Sequence, residues 1–307
     1  MKLHHVIEAQ QFDLPTLQQL FETTEEMERV VARGGTTDYH ARIMASLFYE
    51  PSTRTRFSFE TAMHRLGGRV ISTENAAEFS SVAKGETLED TIRILNGYTD
   101  VIVIRHYEVG SAKRAAAVSR VPIINAGDGM GQHPTQALLD LYTIRKEIGA
   151  IDGLRIAMVG DLAQGRTVRS LTYLLSKFQD VRLYYVAPPL LHMKADILEH
   201  LRERHVEYVE ETSLENVLPE VDVVYQTRIQ KERFGDRIAD YEECRGVYVI
   251  DPNSLRLMKP KAIVMHPLPR LDEITMEVDA DSRAAYFRQA QNGLYVRMAL
   301  LTMVLPT

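Results

Sequence analysis

Cationic and hydroxyl side chains in this sequence gather in short runs that begin where apolar stretches end. The densest is Leu47-Phe-Tyr-Glu-Pro-Ser-Thr-Arg-Thr-Arg-Phe-Ser-Phe-Glu60. An apolar run stops, Pro51 forces a turn, Ser52 stands where a helix cap belongs, and Thr53, Arg54, Thr55 and Arg56 fill the first helical turn. That turn presents backbone N–H groups with no intrahelical acceptor, at the positive end of the helix dipole, which favours an anion. Hydroxyl and guanidinium groups add donors and charge to the same place. Arginines in a first turn oppose the dipole. A bound anion offsets that opposition, whereas a plain capped helix with solvated arginines does not.

Two further runs share this setting. His133-Pro-Thr-Gln136 follows the glycine-rich turn Ala126-Gly-Asp-Gly-Met-Gly-Gln132 and opens a helix, and Arg105 closes a third apolar run. In an open parallel sheet, ligands gather outside the carboxyl ends of the strands, where all three runs fall. An ion pair with Glu108 is the competing use for Arg105, and a structural role is the commoner use for an isolated His. The company of His133 is what favours a site.

In the second half, Gly160-Asp-Leu-Ala-Gln-Gly165-Arg166-Thr167 differs from a P-loop by Arg166 in place of Lys. Asp251, after Val247–Ile250, could serve as the acidic strand-end residue of an NTPase. A planar guanidinium fits a phosphate cradle badly, however, and the Gly-x-Gly-x-x-Gly dinucleotide pattern is missing. Val223-Val-Tyr-Gln-Thr-Arg-Ile-Gln230 is expected to end a strand with Arg228 and Gln230 on one side. In Met265-His-Pro-Leu-Pro-Arg270 the prolines lack N–H groups and leave carbonyls free to accept from a ligand. Arg166, Arg228 and Gln230 together suit a substrate with more than one carboxylate.

The elements that must carry these groups alternate. Strands are expected at Ile43–Phe48, Arg69–Ser72, Val101–Arg105, Pro122–Asn125, Arg155–Val159, Arg182–Val186, Val221–Gln226, Val247–Ile250 and Ala262–Met265. Helical periodicity marks Thr55–Leu66, Thr87–Tyr98, Thr135–Ile148, Arg166–Phe178 and Arg283–Val304. Such alternation predicts an α/β chain with parallel sheets covered on both faces. At 307 residues it has length for two domains, with the junction expected near Gly149–Gly153. The net charge of -6 argues against a general nucleic-acid binder. Cys244 is the one cysteine, so neither an internal disulfide nor a cysteine zinc site can form, and a cytoplasmic setting is expected. No secretory or transit signal and no bilayer-spanning apolar run is read from the sequence, so no membrane partner is expected.

With these pieces assembled, the chain resembles the aspartate carbamoyltransferases of the aspartate/ornithine carbamoyltransferase superfamily over essentially its whole length. The matching motifs are Ser52-Thr-Arg-Thr-Arg56, Ser80–Lys84, Arg105, His133-Pro-Thr-Gln136, Gly165-Arg-Thr167, Thr227-Arg-Ile-Gln230 and His266-Pro-Leu-Pro269. Ornithine enzymes carry His-Cys-Leu-Pro where this chain has Pro267, and they use a Ser-Met-Gly element not found here. The resemblance implies two doubly wound parallel-sheet domains joined by helices, with the active site in the cleft between them. Residues 1–134 with the C-terminal helix 286–307 would bind carbamoyl phosphate, 135–149 would link, and 150–285 would bind aspartate. Ser52, Thr53, Arg54 and Thr55 would hold the phosphate. Arg105 would bridge phosphate and carbonyl, and Thr55, Arg105 and His133 would stabilise the oxyanion. Gln136 and the carbonyls of Pro267 and Leu268, beside Pro269, would take the carbamoyl amino group. Arg166, Arg228 and Gln230 would hold the aspartate carboxylates.

The resemblance also implies that Ser80 and Lys84 arrive from the neighbouring subunit of a homotrimer with shared sites, Ser80 at the carbamoyl phosphate and Lys84 as a catalytic residue reaching both carbamoyl phosphate and aspartate. Neither metal nor organic cofactor is expected. Some family members add a separate regulatory chain or a higher assembly. The segments 225–235 and 265–275 look closer to plant-type enzymes, which work as trimers without one. The alternatives are an ornithine or other carbamoyltransferase, a catalytically silent binding homologue, and a P-loop-like NTPase.

Overall fold

The computed structural model describes residues 3–74, 85–231 and 234–305, so Ser80 and Lys84 lie outside the described residues. The chain divides into two compact units, Met1–Leu139 with Gln291–Thr307, and Asp140–Ala290. Both divisions fall inside helices, Pro134–Ile148 and Tyr286–Val304. The expected lines at 134, 149 and 285 follow element ends instead.

The first unit holds a four-stranded sheet in the order β2-β1-β3-β4, with β1 at Ile43–Phe48, β2 at Arg69–Glu74, β3 at Val101–His106 and β4 at Ile123–Asp128. Every pairing is parallel. Central strands β1 and β3 are apolar almost throughout, as burial on both faces demands. The chain winds outward from β1 to β2, then crosses to β3 on the other side. The order therefore reverses between β1 and β3, which is where an open parallel sheet offers its binding crevice.

The second unit repeats this plan with five parallel strands in the order β7-β6-β5-β8-β9. They run at Arg155–Val159 (β5), Arg182–Val186 (β6), Glu207–Glu211 (β7), Val223–Gln226 (β8) and Ile263–Met265 (β9). Here the order reverses between β5 and β8. A core of Val159, Val186, Val224, Val264 and Tyr286, among others, lies on one face.

Two expectations fail for physical reasons. β7 was not anticipated: its Glu-rich sequence, half exposed, breaks the apolar pattern, yet charge suits an edge strand that must not pair further. Val247–Ile250 is not a strand. Val247 is exposed, and only Ile250 bridges, to Ile274. Asp251 then caps the helix Pro252–Leu257: its Oδ1 accepts from Ser254 N at 2.8 Å, while Ser254 Oγ accepts from Asp251 N at 3.3 Å. This reciprocal cap occupies the side chain that an NTPase would need for its metal.

Asp251→Ala should therefore lower stability by about 0.5–2 kcal/mol in denaturant unfolding and leave turnover intact. Lost turnover at unchanged stability would return Asp251 to a chemical role.

Candidate active site

Strand β1 ends at Phe48, in register with Arg105 of β3, and Tyr49 N donates to Arg105 O at 2.8 Å. The chain then turns through Pro51 into the helix Thr53–Arg65. Ser52 is its cap residue by position, but its side chain makes no capping hydrogen bond. The first helical bond runs from Arg56 N to Ser52 O at 3.0 Å, which leaves the N–H groups of Thr53, Arg54 and Thr55 without an intrahelical acceptor. Thr55 is buried and Arg54 exposed. Arg56 is diverted from the anion cluster: it pairs with Glu74 at 3.0 Å, approaches Glu60 at 4.0 Å, and lies over the Phe57 ring.

Arg105 is largely covered, its side chain only 13% exposed, and it pairs with Glu50 at 3.3 Å. The Glu108 partnership weighed from sequence is wrong, because Glu108 is held by Arg114 at 2.7 Å. Arg105 Nη1 also donates to Ala126 O at 3.4 Å, while its buried Nε has no partner. Burial pushes the Arg105 pKa down; Glu50 opposes this, and the charge of Arg54 adds to the fall. Arg54, exposed overall, is lowered in the same direction by the part of it that is covered. A guanidinium that loses hydration beside a second cation defines a place where negative charge is wanted.

His133, also buried, precedes the helix Pro134–Ile148, and its carbonyl accepts from Gln136 N at 3.1 Å and Ala137 N at 3.2 Å. The turn before it is fixed by Asp128, which accepts from Gln132 N at 2.6 Å and Gly110 N at 2.9 Å. Gly129 sits at φ +51°, where a Cβ would lie 2.3 Å from Tyr107 O, so only glycine fits.

In the second unit the β5–β8 reversal carries the Gly160–Thr167 turn. Gly160 has φ +109°, and a Cβ there would meet Thr227 O at 2.4 Å. Thr227 Oγ1 donates to Val159 O at 2.8 Å and accepts from Asp161 N at 3.1 Å. Asp161, 1% exposed, accepts from Gln164 N at 3.0 Å. A buried carboxylate that takes up the Gln164 N–H within the turn is the wrong charge beside a nucleotide phosphate, so the P-loop alternative fails. The turn presents Arg166 as the first residue of the helix Arg166–Leu175. Arg228 and Gln230, both half-buried, lie beyond the end of β8 at Gln226, so strand alternation does not set their direction.

After β9, Leu268 adopts φ +48° and the Leu268–Pro269 peptide is cis. Leu268 N donates to His266 Nδ1 at 2.8 Å, and His266 Nε2 meets Glu273 Oε1 at 2.8 Å. His266 N donates to Gln289 Oε1 at 2.9 Å, and Gln289 Nε2 to Asp140 Oδ1 at 2.6 Å. Tyr225 OH donates to Asp140 Oδ2 at 2.7 Å. Sequence inspection missed Glu50, Asp140, Glu273 and Gln289. Only Glu50, inside the densest motif, carried a local signal.

Among the described residues, no group of three His, Cys, Asp or Glu could hold a metal, and no helix is long and apolar enough to cross a membrane.

Two family models match the chain. Residues 4–146 match the aspartate/ornithine carbamoyltransferase carbamoyl-P binding domain, and residues 152–304 match the Asp/Orn binding domain. The chain belongs to the aspartate/ornithine carbamoyltransferase family. Among carbamoyltransferases of that family, it is 58% identical to the chloroplastic aspartate carbamoyltransferase of Oryza sativa subsp. japonica, over 99% of this chain and 86% of the relative. It is 60% identical to chloroplastic aspartate carbamoyltransferase 1 of Pisum sativum, over 99% of this chain and 79% of the relative. The aspartate transcarbamoylase of Trypanosoma cruzi, solved with carbamoyl phosphate and aspartate, superposes with a TM-score of 0.93 at 43% identity, covering 99% and 98% of the two chains. Two parallel-sheet domains with surrounding helices are thus the carbamoyltransferase fold in this chain.

Proposed function

We propose that this chain is an aspartate carbamoyltransferase: it transfers the carbamoyl group of carbamoyl phosphate to the α-amine of L-aspartate, giving N-carbamoyl-L-aspartate and phosphate, in pyrimidine biosynthesis. The observation that carries this reading is the largely buried, incompletely paired guanidinium of Arg105, in register with the end of β1, where the uncapped hydroxyl-rich helix start at Ser52–Thr55 begins. That chemistry fits the dianionic phosphate of an activated acyl donor. Support also comes from the Trypanosoma cruzi relative, which holds carbamoyl phosphate and aspartate.

The donor is already activated, so no nucleophilic Ser or Cys is required. The neutral amine attacks the carbamoyl carbon, the bond from that carbon to the phosphate oxygen breaks, and the amine proton leaves with the departing phosphate. Thr55, Arg105 and His133 donate to the developing oxyanion, His133 acting as a donor and not as a base. Ser52, Thr53, Arg54 and Thr55 hold the phosphate and Arg105 bridges it to the carbonyl oxygen, while Gln136 and the Pro267 and Leu268 carbonyls take the amino group. Arg166, Arg228 and Gln230 hold the acceptor. Two arginines attract the second carboxylate of aspartate and repel the side-chain ammonium of ornithine. Alignment and electrostatics are the whole of the catalysis.

The homotrimer, with Ser80 and Lys84 supplied by a neighbouring subunit, belongs to this proposal on family resemblance alone. A cytoplasmic setting rests on cysteine usage and composition, and the rice and pea relatives are named as chloroplastic.

Assayed in parallel, the protein should carbamoylate aspartate and release phosphate stoichiometrically, with no turnover of ornithine. Ornithine turnover alone would overturn the assignment. Arg54→Ala and Lys84→Ala chains, each inactive alone, should regain activity when reassembled as mixed trimers. Absence of any regain would remove the shared site.

A further inference from the structure

We propose that His266 is a positioning residue that fixes the Leu268 peptide, so that the Pro267 and Leu268 carbonyls discriminate the carbamoyl amino group from a bare phosphate. The assignment depends on those carbonyls being the acceptors in the proposed reaction.

The geometry sets the tautomer. Leu268 N can only donate, so the His266 Nδ1 that receives it at 2.8 Å carries a lone pair. The ring proton is then on Nε2 and points at Glu273 Oε1, 2.8 Å away. The second oxygen of Glu273 accepts from Leu271 N at 3.2 Å, which orients the carboxylate. Burial, the largest influence on Glu273, would raise its pKa, but the His266 hydrogen bond and the backbone N–H groups together outweigh it and hold the carboxyl below its ordinary value, an anion. A carboxylate that orients an imidazole through one nitrogen, while the other holds a third group, is a recurrent positioning arrangement.

A device of this kind is needed here. Leu268 at φ +48° occupies a region that a branched side chain seldom adopts, and such a conformation persists only where its surroundings over-determine it. The clamp is applied at both ends of the segment: Leu268 N is held by the imidazole, and His266 N by Gln289 Oε1 at 2.9 Å. Gln289 is anchored on Asp140, and Asp140 on Tyr225, all three 1% exposed or less. Pro267 and Pro269 have no N–H of their own, so the Leu268 N–H is the one backbone donor by which residues 267–269 can be held.

Two near-isosteric substitutions separate positioning from bulk packing. In His266→Asn the amide oxygen takes the place of Nδ1 and can still accept from Leu268 N, but the link to Glu273 is lost. In His266→Gln the amide reaches Glu273 but leaves nothing at the Nδ1 position. Each variant is assayed for kcat, for KM of carbamoyl phosphate, and for inhibition by inorganic phosphate, with folding checked by circular dichroism. H266Q should lose roughly 100-fold in kcat and in the preference for carbamoyl phosphate over phosphate, with phosphate inhibition unchanged; H266N should stay within about tenfold of the parent. Should H266N fold poorly because Glu273 is left as an unpaired anion, H266N combined with Glu273→Gln removes that buried charge and carries the same expectation. Equal losses in the Asn and Gln variants, or an H266Q protein that keeps its carbamoyl preference, would overturn the positioning role. An unmutated protein without aspartate carbamoylation would instead overturn the function itself.

Discussion

Positive charge that the fold leaves incompletely neutralised governs the first unit. Arg105 is drawn into a largely buried position one residue before the end of β3, and that burial strips its charge of hydration. Glu50 answers part of that charge, and the helix beginning at Thr53 adds more of the same sign through its dipole and through Arg54. A protein does not assemble such a cluster for stability, since each like-charged neighbour raises the free energy of the empty site. Negative charge from a ligand relieves it, and a phosphate dianion supplies that charge in compact form.

Parallel-sheet topology places this cluster. Strand order reverses between β1 and β3 in one unit and between β5 and β8 in the other. At the first reversal stand Ser52–Thr55 and Arg105; at the second stand the Gly160–Arg166 turn and the segment from Thr227 to Gln230. The second unit thus repeats the architecture with a different answer. Its turn is filled by its own Asp161, and the basic groups lie just beyond, at Arg166 and Arg228, suited to carboxylates instead of phosphate.

Local signals explain what the sequence showed. Ser52–Thr55, the start of the helix at Arg166, and Arg105 at a strand end follow from caps and apolar runs of a few residues. Register and distant pairing explain what it hid. Arg105 chooses Glu50 because Phe48 lies beside it across the sheet, whereas Glu108, nearer in sequence on that side, turns toward Arg114. Asp140 and Gln289 are 149 positions apart and meet in the core, a contact no spacing rule anticipates. β7 was masked by its glutamates, and Asp251 looked chemical because a capping aspartate and a metal-binding one both follow an apolar run.

The central claim is that the Ser52–Thr55 and Arg105 cluster is a phosphate site, and calorimetry with inorganic phosphate tests it most directly. Titration into the unmutated protein should give saturable binding that weakens with added salt, and binding should be lost in Arg105→Leu, with Arg56→Gln close to the parent. Equal phosphate affinity in the parent and Arg105→Leu proteins would contradict the account.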